Sequence, residues 1–135
     1  VPEPGLLDTS VLADLSLEAV EALPERSLIS TISVAELAAG LVATPDPIEK
    51  ARRSQVFAFI TSVFVAPLPF DLAAAKAYQH VFGTTRLFRL NHRSRQADLF
   101  IAAIALAHGL PLHTRNLKDV RHLTSLIDLV PVPTP

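Results

Sequence analysis

Arg95-Gln96-Ala97-Asp98-Leu99-Phe100-Ile101-Ala102-Ala103-Ile104-Ala105-Leu106-Ala107-His108-Gly109 is the stretch that decides how this chain folds. Between Gln96 and Ala107 only Asp98 is charged, and the remaining positions make a helix that is apolar on nearly every face. Such a helix belongs inside a layered domain, not on its surface. Gly109 ends it, at the place where a left-handed residue closes a helix. Leu112 to Thr114 then reads as a strand, Leu117 to Leu123 as a short helix, and Leu129 to Val132 as a final strand running into a proline-rich tail.

Working back from Arg95, residues Gly83 to His92 read as irregular and basic, and Asp71 to Phe82 as a helix. Val65 to Leu68 reads as a short strand. Ile48 to Phe64 and Ser33 to Val42 read as helices, separated by Pro45-Asp46-Pro47. Leu28 to Ile32 reads as a strand, Leu12 to Leu23 as a helix ending before Pro24, and Gly5 to Leu7 as a first strand ending at Asp8. Five strands alternating with helices predict an α/β fold with a parallel sheet covered on both faces. In such sheets the site lies beyond the carboxyl ends of the strands.

The 135 residues fit one domain, 1–135, and half of them are hydrophobic, enough for a sizeable core. The absence of cysteine excludes a disulfide framework, thiolate zinc sites and a cysteine nucleophile, and agrees with an expected cytoplasmic location. No run approaches the roughly 20 apolar residues of a membrane span, and no basic segment precedes an apolar one as in a signal peptide. Charge is unevenly spread. Residues 1–49 hold nine acids and one base, whereas residues 50–135 hold eleven bases and four acids. The basic part suits a polyanion or an acidic partner, although solvated helix faces of opposite sign explain it equally well. The five histidines lack paired metal-ligand spacing and read as structural or surface residues. No glycine-rich phosphate loop is present.

Four acids fall where the site is expected. Asp8 follows the first strand directly, in Asp8-Thr9-Ser10. Glu36 lies just after the second strand, Asp98 opens the buried helix, and Asp119 lies in Thr114-Arg115-Asn116-Leu117-Lys118-Asp119 after Leu112 to Thr114. Each has a structural alternative. Asp8 and Asn116 are good helix caps. Ser33 and Glu36 have the spacing of a capping box, and Asp98 and Asp119 suit the dipole of a first helical turn. Together, however, four carboxylates on one edge repel unless cations hold them. Magnesium, with manganese as the alternative, is the natural choice for an all-oxygen set.

These same residues resemble the PIN-domain family, most closely its VapC-type toxins. The resemblance rests on Leu6-Leu7-Asp8-Thr9-Ser10, on Ile32-Ser33-Val34-Ala35-Glu36-Leu37 with Gly40 following, on Ala97-Asp98-Leu99-Phe100-Ile101-Ala102-Ala103-Ile104-Ala105, and on Leu110-Pro111-Leu112-His113-Thr114-Arg115-Asn116-Leu117-Lys118-Asp119. It spans almost the whole chain. It implies a three-layer α/β/α sandwich with a five-stranded parallel sheet, and metal-dependent cleavage of RNA phosphodiester bonds. It further implies a homodimer, inhibition by a cognate antitoxin of the VapB type, and DNA binding only through that antitoxin. Matched by motif, it makes Asp8, Glu36 and Asp98 metal ligands and Asp119 the fourth acid, with Thr9, Ser10, Thr114 and Asn116 in support. Val120 departs from the family, whose members commonly carry Phe there.

A mechanism follows as an expectation. One or two ions held by the carboxylates would activate water against a scissile phosphate, with Glu36 or Asp119 orienting the water as base. An acidic hollow repels RNA, so Arg93, Arg95 and Arg115 are expected to recruit it through phosphates, with Arg86, Arg89, Lys118 and Arg121 nearby. Phe82 and Phe88 are candidates for stacking on unpaired bases. Two rival readings remain at this point: an aspartate-based phosphatase using Asp8 as acceptor, and a non-catalytic binding module of the same fold. The apolar stripe Val56, Phe57, Phe59, Ile60, Val63 and Phe64 is core, or else a groove for a partner helix.

Overall fold

The computed structural model describes residues 3–15 and 20–134. Its elements are β1 (Pro4–Leu7), α1 (Thr9–Leu12), β2 (Arg26–Leu28), α2 (Thr31–Ala43), α3 (Pro47–Val63), α4 (Leu72–Leu87), α5 (Gln96–His108), β3 (Leu112–Thr114), α6 (Leu117–Val120) with a 3-10 turn over Arg121–Leu123, and β4 (Leu129–Pro131). The middle of the helix expected over Leu12 to Leu23 lies outside the described residues.

The strands form one parallel sheet in the order β2-β1-β3-β4. Neighbouring side chains on β1 point to opposite faces. Leu6 accordingly enters a core built with α4 and α5, including Ala74, Val81, Leu99, Ile101 and Ile104. Leu7 enters a second core with Val11, Leu12, Ile29 and Ile60, against which Leu37 and Val56 pack from α2 and α3. The expected three layers follow from that alternation. Leu99, Ile101 and Ile104 are fully buried, and each such side chain contributes about 1.5–3 kcal/mol. Gly109 ends α5 at φ +62°, and its N–H reaches the carbonyls of Ala105 and Leu106.

The described sheet has four strands, not five. The segment expected as a strand at Val65 to Leu68 contributes a single bridge, Leu68 beside Ser30. Leu68 donates its N–H to Ile29 O at 2.9 Å and accepts from Thr31 N at 2.9 Å. Pro67 and Pro69 flank it without N–H groups, so the ladder cannot extend either way. The second strand is also displaced, to Arg26–Leu28, because Ser30 caps α2: its Oγ accepts from Ser33 N at 3.1 Å. The cap is thus Ser30 instead of Ser33, which removes the capping-box explanation for Glu36. The helix expected to stop at Phe82 continues through Gly83 to Leu87, since one glycine costs a helix only about 1 kcal/mol. The short helix after β3 tightens into its 3-10 turn at Arg121.

Strand order changes direction at β1: the chain places β2 on one side of it and β3 on the other. Ligand sites in open parallel sheets form at such a switch, beyond the carboxyl ends. Asp8 N donates to His113 O at 3.0 Å, which brings the ends of β1 and β3 together there.

Candidate active site

Asp8 stands at the tip of β1, only 3% exposed. It caps α1: Oδ1 accepts from Ser10 N at 2.9 Å and from the Ser10 hydroxyl. Ser10 Oγ in turn accepts from Arg115 N at 3.0 Å, so one hydroxyl links the turns after β1 and β3. The cap holds the Asp8 carboxylate at the switch point.

Glu36 lies in the second turn of α2, where Oε1 accepts from Thr9 Oγ1 at 2.5 Å. Thr9 Oγ1 also lies 2.9 Å from Ser33 Oγ. Ser33 and Ser30 are both fully buried. This run of hydroxyls fixes the Glu36 side of the site; of the supporting residues expected from sequence, Thr9 is the one that touches Glu36, and Ser33 joins through Thr9 and not through a capping box. Thr114, also fully buried, accepts from Asn116 N at 2.9 Å. Asn116 occupies the cap position of α6 but makes no side-chain cap bond. Asp119 sits in the first turn of α6, its N–H on Asn116 O at 3.0 Å.

Asp98, in the first turn of α5, reports how these groups meet. Its pKa is raised from 3.8 to about 6, first by burial and then by the negative charges of Asp8, Glu36 and Asp119, with Arg95 opposing. The other three sequence-predicted acids therefore all lie close enough to bear on Asp98 at one edge of the sheet. The oxygen donors suit a hard divalent cation, and the mutual repulsion at Asp98 is what such an ion would relieve. Among the described residues, no group of three or more acids and histidines is placed to hold a metal ion as the side chains stand. Asp8 is instead engaged by Ser10, and Glu36 by Thr9.

Cations flank the acids on two sides. Beside Glu36, a cavity of about 270 Å3 is lined by Thr9, Gly40, Arg52 and Arg53. Arg53 donates to Gly40 O at 2.8 Å, in the last turn of α2, and both arginines pair with Glu49. No sequence signal pointed to these arginines, which reach the site only because α3 folds back over α2. Beside Asp119, a cavity of about 860 Å3 is lined by Arg95, Lys118 and Arg121.

The three arginines expected to meet RNA are placed differently. Arg95 lies near enough to Asp98 to draw its pKa down. Arg93 is exposed on the preceding turn. Arg115 turns inward: its side chain is 4% exposed, and it faces the more open Asp14 at 3.5 Å. Of the two expected stacking residues, Phe82 is partly covered and packs edge-on to His92 with ring centroids 4.8 Å apart. Phe88 is exposed at the mouth of the larger cavity. In the α3 stripe, Ile60 is buried and Val56 and Phe64 pack on the core, whereas Phe59 and Val63 remain exposed.

A parallel sheet carrying a carboxylate centre at its switch point defines an α/β protein of the acid-centred type. The chain belongs to the PIN-domain family, whose model matches residues 5–123. It is 34% identical over 122 residues to the plasmid stability protein StbB of Pseudomonas syringae pv. tomato, covering 82% of this chain and 86% of that one. It is 30% identical over 120 residues to ribonuclease VapC5 of Mycobacterium tuberculosis, covering 85% and 84%. A solved member of the VapBC family of toxin–antitoxin systems from M. tuberculosis, VapBC-5, superposes with a TM-score of 0.81 at 26% identity, over 98% of this chain and 100% of that chain. No helix among the described residues is long and apolar enough to cross a membrane.

Proposed function

We propose that this chain is the toxin of a type II toxin–antitoxin pair, an endoribonuclease that cuts RNA phosphodiester bonds with magnesium, or manganese, as cofactor. The observation that carries the reading is Asp98, raised to about 6 by burial and by Asp8, Glu36 and Asp119 together. A pure scaffold gains nothing from three acids crowding a half-buried carboxylate. The names of the matched relatives, a ribonuclease and a member of a toxin–antitoxin family, support the same reading.

In this mechanism Asp8, Glu36 and Asp98 would hold the cation, and Asp119 would complete the acidic set. When bound, the ion supplies activation of water near neutral pH and neutralisation of phosphoryl charge. Ser10 keeps the Asp8 carboxylate oriented, and the Thr9 hydroxyl does so for Glu36. Thr114 Oγ1 accepts from Asn116 N, which fixes the start of the turn leading to Asp119. Asp119, or Glu36 in place of its ligand role, would orient the attacking water as base. Arg95 and Arg93 draw the phosphate backbone toward the acids. Arg115, whose backbone N–H is held by Ser10 Oγ, positions the turn that leads to Asp119.

The partners that accompany this reading are a cognate antitoxin of the VapB type, a second copy of the chain in a homodimer, and promoter DNA reached only through the antitoxin, all in the cytoplasm. The experiment is direct. Purified protein is incubated with total RNA, with and without chelator, and fragment ends are mapped. Magnesium-dependent cleavage lost in a folded Asp8→Asn variant is expected. Full activity in that variant sinks the assignment.

A further inference from the structure

We infer that the cavity beside Asp119 is a pocket for one unpaired nucleotide flanking the cleaved phosphate, an inference that rests on the ribonuclease reading. The cavity measures about 860 Å3, ample for a nucleobase with its ribose, and one of the four acids, Asp119, stands in its wall. Its lining combines the three things a single-stranded nucleotide needs.

The first is an aromatic face at low cost of exposure. Phe88 stands 56% exposed at the mouth, outside both cores. It is not packing residue left over from α4, since it follows the last helical residue and lies 6.0 Å, centroid to centroid, from the His122 ring. A base entering between the rim and this ring meets π-surface whatever its identity.

The second is positive charge: Arg95, Lys118 and Arg121 line the same cavity. Lys118 and Arg121 are exposed, and no ion pair engages either among the described residues. They are free to take the phosphates on either side of the base.

The third is polar capacity left unused in the wall. Thr85 Oγ1 donates to Val81 O at 2.9 Å, so it accepts from His122 Nε2, also at 2.9 Å. That pattern puts the imidazole proton on Nε2 and leaves Nδ1 a bare acceptor. His122 is only 7% exposed, and its Nδ1 has no hydrogen-bond partner among the described residues. Arg95 Nε, a donor on the same cavity, is likewise buried without one. An unpaired acceptor and an unpaired donor thus lie just behind the wall on two lining residues, where a small side-chain shift would offer them to a base edge that presents both an N–H and a carbonyl. Burial and the Arg95 charge both hold the His122 pKa down, in keeping with a neutral ring.

The test uses the full chain in chelator, so that binding is read without cleavage. The chain has no tryptophan, and Phe88→Trp therefore introduces a single reporter. A mixed-sequence single-stranded RNA octamer is expected to quench it saturably, while a duplex of the same sequence quenches it poorly. Independently, Phe88→Ala should weaken octamer binding about tenfold by anisotropy, and Arg121→Ala should weaken it severalfold with a shallower salt dependence. Both side chains are exposed, so folding is not at risk. Absence of quenching at octamer concentrations that saturate anisotropy overturns the inference, as does unchanged affinity in Phe88→Ala. Equal quenching by an oligoglutamate peptide also overturns it, marking instead a general acidic-partner site. Quenching by RNA in a protein that cleaves no RNA in magnesium would keep the nucleotide pocket but remove the nuclease reading and with it the pocket's place beside a cleaved phosphate; cleavage without quenching keeps the nuclease reading and overturns the pocket.

Discussion

Replacing Asp98 by Asn in the metal-free protein should make it more stable, an outcome opposite to that of most substitutions near a core. The Asp98 pKa is raised from 3.8 to about 6 by burial and by Asp8, Glu36 and Asp119. A carboxyl whose folded pKa lies above its unfolded one binds protons more tightly when folded. Its cost is therefore absent below about 4, grows as pH rises between the two values, and is complete above about 6. The full displacement corresponds to about 3 kcal/mol. Asp98 is partly exposed, and solvent screening reduces this to ~1–2 kcal/mol. Asn keeps the shape and removes the charge. Urea unfolding in chelator at pH 7.5 should then show a midpoint higher by roughly 0.5–1 M for an ordinary urea slope. The gain should shrink steadily toward pH 4. Magnesium should reverse the ranking at pH 7.5 by stabilising only the parent protein. A neutral or destabilising Asp98→Asn in chelator, or a gain unaffected by pH, would refute the view that the acids share one field.

Gly5→Ala should destabilise the sheet by about 1–3 kcal/mol or prevent folding, because its Cβ would lie 2.5 Å from His113 Nε2 and 2.9 Å from Pro24 Cγ; thermal unfolding reads this directly. Gly109→Ala should cost about 1–2 kcal/mol for its left-handed backbone alone, as nothing lies within 4 Å of the new methyl, and the loss should appear in the denaturation midpoint with an unchanged slope. Thr9→Val keeps the volume but removes the hydroxyl shared by Glu36 and Ser33; RNA cleavage should fall at least tenfold while circular dichroism stays unchanged, and unaltered turnover would deny Thr9 its positioning role.

The buried helix and β3 were legible in sequence for the same reason: period and punctuation agree there. An all-apolar run, Gly109 at the stop and a short apolar strand leave one arrangement open. The misreadings fall where a local pattern and tertiary pairing disagree. Val65 to Leu68 has strand composition, but prolines on both sides of Leu68 restrict it to one bridge. Ser33 has the spacing of a cap, yet the bridge between Ser30 and Leu68 fixes extended backbone three residues earlier and moves the cap to Ser30. Gly83 looked like a stop because sequence alone does not reveal that α4 packs along α5 and keeps its helix through that residue.

The acids were legible because a parallel sheet forces strand ends to one edge, so position along the chain becomes position in space. What supports them was not. Ser10 is tied to Arg115 from 105 residues away, and Thr9 to Glu36 from 27 residues away. No local period marks these pairs, and each involves a residue type that is ordinary in turns. The physical consequence is a division of labour. Residues that carry charge are fixed by topology, whereas residues that orient them are fixed by contact. Conservative changes to the hydroxyls should therefore lower turnover without touching stability, while changes to the acids, as at Asp98, should move both, and in opposite directions when no ion is present.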